Sequence, residues 1–244
     1  MQGFNVQDFL NALVNPFLLA GAGVTAGLTV VGLAGGFAFG LFVAVVRSSP
    51  YRPLAIAARG YIWFFRGTPL LIQMVAIYSG LPQVGIKFGV FTSVVIALVS
   101  NEAAYMAEII RGGFLAIPAG QTDAAKALGL NRWQTLIKIQ LPQAVRIILP
   151  AVGNSVNGLL KATSIASVIS MEELMRRSEM VMQVKFDVLE VFAAAAVDYL
   201  VLTTLWDQVQ KRLERRFNRG VRLESSKIES SKIAPAVEQA ALPR

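Results

Sequence analysis

The chain has 244 residues, of which 55% are hydrophobic and only 16% charged, with a net charge of +8 and a mean hydropathy of +0.55. This balance is well to the apolar side of ordinary soluble domains and identifies an integral membrane protein. There is no cysteine and no histidine, which excludes disulfides, thiolate metal sites and imidazole acid–base chemistry. The positive charge fits loops facing anionic lipid better than nucleic acid, so no nucleic-acid partner is expected.

Met1–Phe9 contains no Lys or Arg before the first apolar run, whereas a cleaved signal wants a basic start, so the first hydrophobic segment is expected to stay. Residues 1–22 read as an external, interfacial segment, with a short apolar stretch around Phe9–Ala20. A first span follows near Val24–Val46, since about twenty apolar residues suffice to cross the hydrocarbon core. Its pairs Gly23/Gly27, Gly32/Gly36 and Gly36/Gly40 are small-xxx-small spacings that let helices approach closely, within the bundle or between subunits.

Arg47, Arg52, Arg59 and Arg66 surround a Pro50 and Pro53 turn, which reads as a cytoplasmic loop. Gly67–Ile86 is uncharged and predicts the second span, and Val90–Ile110 the third. Leu141-Pro142 opens a fourth, which fades near Lys161–Ser170. Met171–Glu190 predicts an external amphipathic helix, and Val191–Val209 the fifth span. A basic cluster, Lys211 to Arg222, closes a membrane domain over 23–219, and the tail 220–244 is expected to be disordered. Five spans place the amino terminus outside and the carboxyl terminus in the cytoplasm. Most basic residues then fall inside, although Lys87, Lys161, Arg176, Arg177 and Lys185 do not.

Between spans three and four lies a polar, glycine-punctuated loop, 113–142. Thr122 is a suitable N-cap for a short helix with Asp123 at its positive end. Gly129 stands where a residue tolerating positive φ is needed, with Leu128 and Leu130 closing the cap. Asn131 can cap a second short helix. Ala124, Ala125 and Leu128 are expected on one face that admits a close partner.

Asp123-Ala124-Ala125, Gly129 and Ile139-Gln140-Leu141-Pro142 resemble, in order and spacing, the coupling loop of membrane permease subunits in binding-protein-dependent ABC importers. Aspartate stands where that family usually has glutamate. Phe65-Arg66-Gly67-Thr68-Pro69, Ala104-Tyr105-Met106-Ala107-Glu108 and Lys161-Ala162-Thr163-Ser164 are similar to the polar amino-acid branch, the histidine and glutamine uptake group. The resemblance implies an all-α membrane protein with five transmembrane helices and a cytoplasmic coupling helix, the type I ABC importer fold, in a bacterial inner membrane. It implies Asp123, Ala124, Ala125, Gly129 and Leu130 as the ATPase-coupling element. The implied partners are ABC ATPase subunits, a second permease subunit, an extracytoplasmic amino-acid-binding protein and the bilayer. No cofactor is expected in this chain: it lacks a G-x-x-x-x-G-K-[ST] loop, so ATP and Mg would be bound by the partner, and the chain itself is not an enzyme.

Polar residues at membrane depth are costly and tend to face a cavity. Asn101, Glu102 and Tyr105 in span three, Gln73 in span two, Lys161 and Ser164 in span four and Asp198 in span five are therefore the candidate substrate-binding residues. Glu102 suits an ammonium or guanidinium group, or else pairs with a neighbouring helix. Glu108 and Arg111 read as an interfacial ion pair. The expected function is translocation of polar, possibly basic, amino acids; the alternative is an ion-gradient-driven secondary transporter or channel in which Glu102 and Asp198 relay ions.

Overall fold

The computed structural model describes residues 4–240, and every described regular element is helical. Helix α1 (Val6–Leu13) is capped by the Asn5 side chain, and α2 (Pro16–Arg47) by Asn15 with Pro16 at its first turn. The chain therefore breaks at Val14–Asn15, inside the predicted interfacial stretch, and the boundary expected at residue 22 falls within a continuous helix. With 32 residues, α2 is about 48 Å long, more than one bilayer core.

The predicted loop over Arg47–Arg66 is instead mostly helix α3 (Arg52–Gly67), with only a short turn before it. Ala55, Ala58 and Ile62 are its buried residues, a helical spacing that the arginines obscure in the sequence. The extended backbone at Thr68 and Pro69 separates α3 from α4 (Leu70–Val75), which continues through a π turn, Ala76–Gly80, and a tight turn, Leu81–Val84. Leu70–Val84 is an apolar helix too short to rank with the four long ones, Pro16–Arg47, Val90–Leu115, Arg132–Ile169 and Val188–Phe217. Its length of about 22 Å is short of a hydrocarbon core. The rest of the predicted second span is supplied by α3. Tyr61 Oη donates to Ser100 O at 2.6 Å and Asn101 Nδ2 to Phe65 O at 3.0 Å, which places the C-terminal half of α3 beside the middle of α5 (Val90–Leu115). Arg59 and Arg66 thus sit on a helix entering the bundle, not in a loop.

After α5 comes the elbow helix α6 (Ala119–Ala127), then α7 (Arg132–Thr135). The latter runs through a π turn, Leu136–Gln140, into α8 (Leu141–Ala162) and a tighter coil, Thr163–Ile169. The predicted second short helix is therefore the foot of span four. Helix α9 (Leu174–Lys185) occupies the predicted amphipathic stretch, and α10 (Val188–Ala240) closes the chain. Helix α10 extends over 220–240 of the tail predicted to be disordered, whose last residues, 241–244, lie outside the described residues.

The bundle is built on α2 against α5, its most extensive helix pair. Gly32, Gly36 and Gly40 are buried on that seam. A Cβ on Gly36 would stand 2.6 Å from Glu102 Cγ, and one on Gly40 2.6 Å from Met106 Cβ and 2.8 Å from the Ala103 carbonyl. Gly23 and Gly27 meet nothing within 4 Å, so only the second half of the glycine series does the packing inside this subunit. Apolar clusters flank the seam: Leu28, Met74, Leu98 and Leu159 at one level, and Val43, Ala58, Ile62 and Ile110 nearer the elbow. Exposed Val30, Phe42, Val45 and Leu200 face outward, as lipid-facing residues do.

Gly40→Ala should lower subunit stability by about 1–3 kcal/mol, the usual cost of overpacking, whereas Gly27→Ala should leave it unchanged. Thermal unfolding of both variants in detergent separates the two; equal midpoints would contradict the α2–α5 seam.

Candidate functional site

Helices α5 and α8 enclose a cavity of about 430 Å³ lined by Asn101, Glu102, Tyr105, Asn154, Ser155 and apolar neighbours. Three of the seven predicted binding residues, all on α5, meet here. Glu102 is 5% exposed, and Ser155 Oγ donates to its Oε1 at 2.6 Å. A carboxylate so placed, with one hydroxyl partner and a cavity in front, can receive a cation.

Gln73 adjoins the site but is otherwise engaged. Its Nε2 donates to the carbonyls of Phe65 and Thr68 and to Thr68 Oγ1 at 2.9–3.0 Å, and its Oε1 accepts from Asn101 Nδ2 at 3.1 Å. It satisfies carbonyls freed by the break between α3 and α4 and orients Asn101 from behind. Lys161 and Ser164 line a different cavity, about 480 Å³, with Tyr199 and Thr203. Asp198 is buried on α10, its Oδ2 without a hydrogen-bond partner among the described residues, and it lines neither cavity. The seven residues are therefore divided among separate places.

Asn154 and Ser155 were missed because hydropathy treats the Gly153–Gly158 run as a weak point in a span. The polar residues Asn154, Ser155 and Asn157 in that run were the available signal. Asn157 Nδ2 donates to Asp207 at 2.6 Å and Trp206 Nε1 to the Gly153 carbonyl at 2.8 Å, fixing α8 to α10.

Below Glu102 on the same helix, Glu108 is surrounded by arginines. Arg111 donates to Oε2 from Nη2 at 2.8 Å and from Nε at 3.3 Å, Arg47 pairs with Oε1, and Arg66 stands 3.8 Å from Oε2. The predicted Glu108–Arg111 pair is thus part of a knot tying α2, α3 and α5.

At the elbow, α6 begins at Ala119 with Pro118 in the cap position, so Thr122 is inside the helix rather than its N-cap. Proline supplies the preset φ for this start. Thr122 Oγ1 instead accepts from Gln140 Nε2 at 3.1 Å, bonding α6 to the foot of α8. Asp123 pairs with Lys126 at 3.2 Å. Gly129 adopts φ +75°, and Leu130 N donates to Ala125 O at 3.0 Å while Gly129 N donates to Lys126 O at 2.9 Å, a Schellman cap. Asn131 caps α7 in a reciprocal box with Gln134, as S/T/N-x-x-Q spacing allows. The expected shared face divides: Ala125 is 2% exposed and packs inward, whereas Ala124 is exposed and Leu128 is 79% exposed. Leu128 and Trp133, the latter 70% exposed, leave the elbow with an uncovered apolar surface.

At the far end of the bundle Glu173, fully buried, caps α9 through the N–H groups of Met175 and Arg176 and accepts from Thr25 and Tyr199 hydroxyls. It joins α2, α9 and α10. Burial pushes its carboxyl above the usual range, against the pull of those four donors.

The family model for the inner membrane component of binding-protein-dependent transport systems matches residues 36–219. The glutamine transport system permease protein GlnP of Escherichia coli (strain K12) is 38% identical over 203 residues, 82% of this chain and 93% of that protein. The arginine transport system permease protein ArtQ of Bacillus subtilis (strain 168) is 37% identical, over 82% of this chain and 92% of that protein. The crystal structure of an amino acid ABC transporter with histidines superposes at a TM-score of 0.83 with 35% identity, covering 88% of this chain and 100% of that one. An inward-facing MetNI methionine ABC transporter shares the fold at a TM-score of 0.68 and 21% identity.

An acid whose pKa is raised on folding favours the fold when protonated. Stability should therefore decline as pH rises from the ordinary carboxyl range through the raised value of Glu173, and be flat above it. Glu173→Gln should remove that decline, read as the difference between the two unfolding midpoints from about pH 4 to about pH 7. Parallel profiles would show that the four donors cancel the effect of burial, and a wild-type stability that rises with pH relative to Glu173→Gln that they outweigh it.

Proposed function

The chain belongs to the family of inner membrane components of binding-protein-dependent transport systems, as the permease subunit of an amino-acid ABC importer. From that premise we propose that the Glu102 cavity is the station its substrate occupies in transit and the α6 elbow the seat of a partner ATPase. The observation that carries this reading is topological. The two helices that wall the cavity, α5 with Glu102 and α8 with Ser155, are the two that the elbow joins. A push on α6 is thereby delivered to both walls.

The elbow suits a docked lever. Its cap is internally satisfied, its base is bonded to α8 through Thr122 and Gln140, and Leu128 and Trp133 are free to enter a groove. Of the predicted coupling residues, Asp123, Ala124, Gly129 and Leu130 shape or border that surface, and Ala125 anchors it from within. Closing and opening of an ATPase pair would tilt α5 against α8 and change the side from which the cavity opens. ATP and Mg belong to that ATPase. A second permease subunit and an external binding protein complete the assembly, with the elbow and carboxyl terminus in the cytoplasm and the amino terminus outside.

The substrate is a polar amino acid, in keeping with relatives named for glutamine and arginine transport. Its cationic group would displace or share the Ser155 hydrogen bond on Glu102, replacing lost hydration by a buried ion pair. The ion-gradient alternative is set aside by the family; Glu102 and Asp198 also do not share a cavity.

Reconstitution with an ATPase and binding protein, and a panel of labelled amino acids, tests this. Glu102→Gln should reduce uptake at least about tenfold, a loss of about 1.4 kcal/mol. Gly129→Val, which forces a branched residue into left-handed backbone at about 1–2 kcal/mol, should uncouple uptake from ATP while the spans still insert. Uptake that persists without ATP, driven by an ion gradient, would overturn the reading.

A further inference from the structure

The arginine knot around Glu108 is not balanced in charge. Glu108 lies six residues beyond Glu102 on α5 and is therefore turned about 120° from it around the helix. Each of its oxygens has a partner, Arg47 on Oε1 and Arg111 on Oε2. Arg66 stands third, 3.8 Å from Oε2 and outside hydrogen-bond reach. Arg59 is a fourth cation at this level, because its neighbours on α3, Ala58 and Ile62, pack in one apolar cluster with Ala107 and Ile110 of α5. Its Nε donates to the Ala55 carbonyl one turn back at 3.2 Å. Among the described residues Glu108 is the one acid that pairs with any of these four. The surplus of positive charge lies on the elbow side of the bundle, where the hydrocarbon gives way to headgroups, and an anion there offsets its cost.

The surplus is open along one strip of α3. Arg59, Trp63 and Arg66 follow at intervals of four and three and so lie side by side. Arg59 is exposed and the Arg66 side chain is 43% exposed, while Trp63 between them is 78% exposed. Exposed Ile56 and Phe64 border the strip with apolar surface. Guanidiniums for a phosphate, an indole for the boundary region and apolar side chains for acyl tails match the parts of one kind of molecule, a phospholipid. Arg59 and Arg66 are about 10 Å apart along the axis, a gap that two arginine side chains and one phosphate can close.

We propose that Arg59, Trp63 and Arg66 form a binding site for an anionic phospholipid of the leaflet on the elbow side. Its phosphate sits between the two guanidiniums and its acyl chains run along α3. The phosphate supplies the negative charge that Glu108 alone does not, and braces α3 against α2 and α5. The site is separate from the Glu102 cavity and does not depend on what that cavity carries.

The permease–ATPase complex in phosphatidylcholine bilayers tests this through the fluorescence of Trp63, taken as the difference between wild type and Trp63→Phe. Phosphatidylglycerol with brominated chains should reach the indole, and quench it, with at least about fivefold greater effective affinity than brominated phosphatidylcholine. Arg59→Gln combined with Arg66→Gln should bring that preference near one. Arg59→Gln alone, which breaks no contact with Glu108, should lower it partway and so guards against a folding defect. Arg66→Lys should keep most of it, since a point charge still serves a phosphate. Removing equal charge from α10, by Arg215→Gln with Arg216→Gln, should leave it unchanged. Equal quenching by the two lipids in the wild type, or an equal loss in the α10 variant, would reduce the effect to the general charge of the leaflet and overturn the proposal. A preference abolished by inorganic phosphate but not by chloride at the same ionic strength would assign the strip to a free anion, and overturn it too. If neither lipid quenches Trp63, protein covers the strip and the proposal falls, with the Glu102 station untouched.

Discussion

The close approach of α2 and α5 is the constraint from which the rest of the structure follows. Gly36 and Gly40 leave no room for a Cβ against Glu102, Ala103 and Met106. In lipid there is little hydrophobic gain from helix association, so contact at this distance is what holds two long helices together. It also explains how a carboxylate can be placed at membrane depth: Glu102 is clamped on the glycine side and presented to α8 on the other. Its direction is set by packing before any ligand is present.

That clamp makes α5 a stiff member with a function at each of three levels. Glu102 and Tyr105 face the cavity, Glu108 gathers Arg47, Arg66 and Arg111, and the helix ends where the elbow begins. The return path is equally continuous, because α7 joins α8 through a π turn rather than a loop. A substrate site between two helices and a lever between the same two helices need no long relay. The arginine knot lies between these levels, tying α2 and α3 to the moving member.

Much of this was legible in the residues. Uncharged runs marked the long helices, Gly129 marked a left-handed cap, and the Asn101–Glu102–Tyr105 group marked the cavity face of α5. What the sequence concealed has physical reasons. Charge counting turned α3 into a loop, although the Ala55–Ala58–Ile62 spacing announces a buried face. Thr122 looked like a cap because its preference is real, but Pro118 starts the helix earlier and frees the hydroxyl for Gln140. Lys161 and Asp198 carry the same costly polarity as Glu102, and polarity alone does not say which cavity a residue meets. Ser155 is a small hydroxyl whose importance appears only when α8 is laid against α5.

The native absence of cysteine permits a direct test of the elbow as the place where ATP-driven force enters. With a single Leu128→Cys change, the permease alone should react readily with a membrane-impermeant thiol reagent applied from the cytoplasmic side. Addition of the ATPase subunit should protect the thiol. Equal labelling with and without the ATPase, or labelling only from the external side, would contradict the coupling of the Glu102 cavity to a motor through α6.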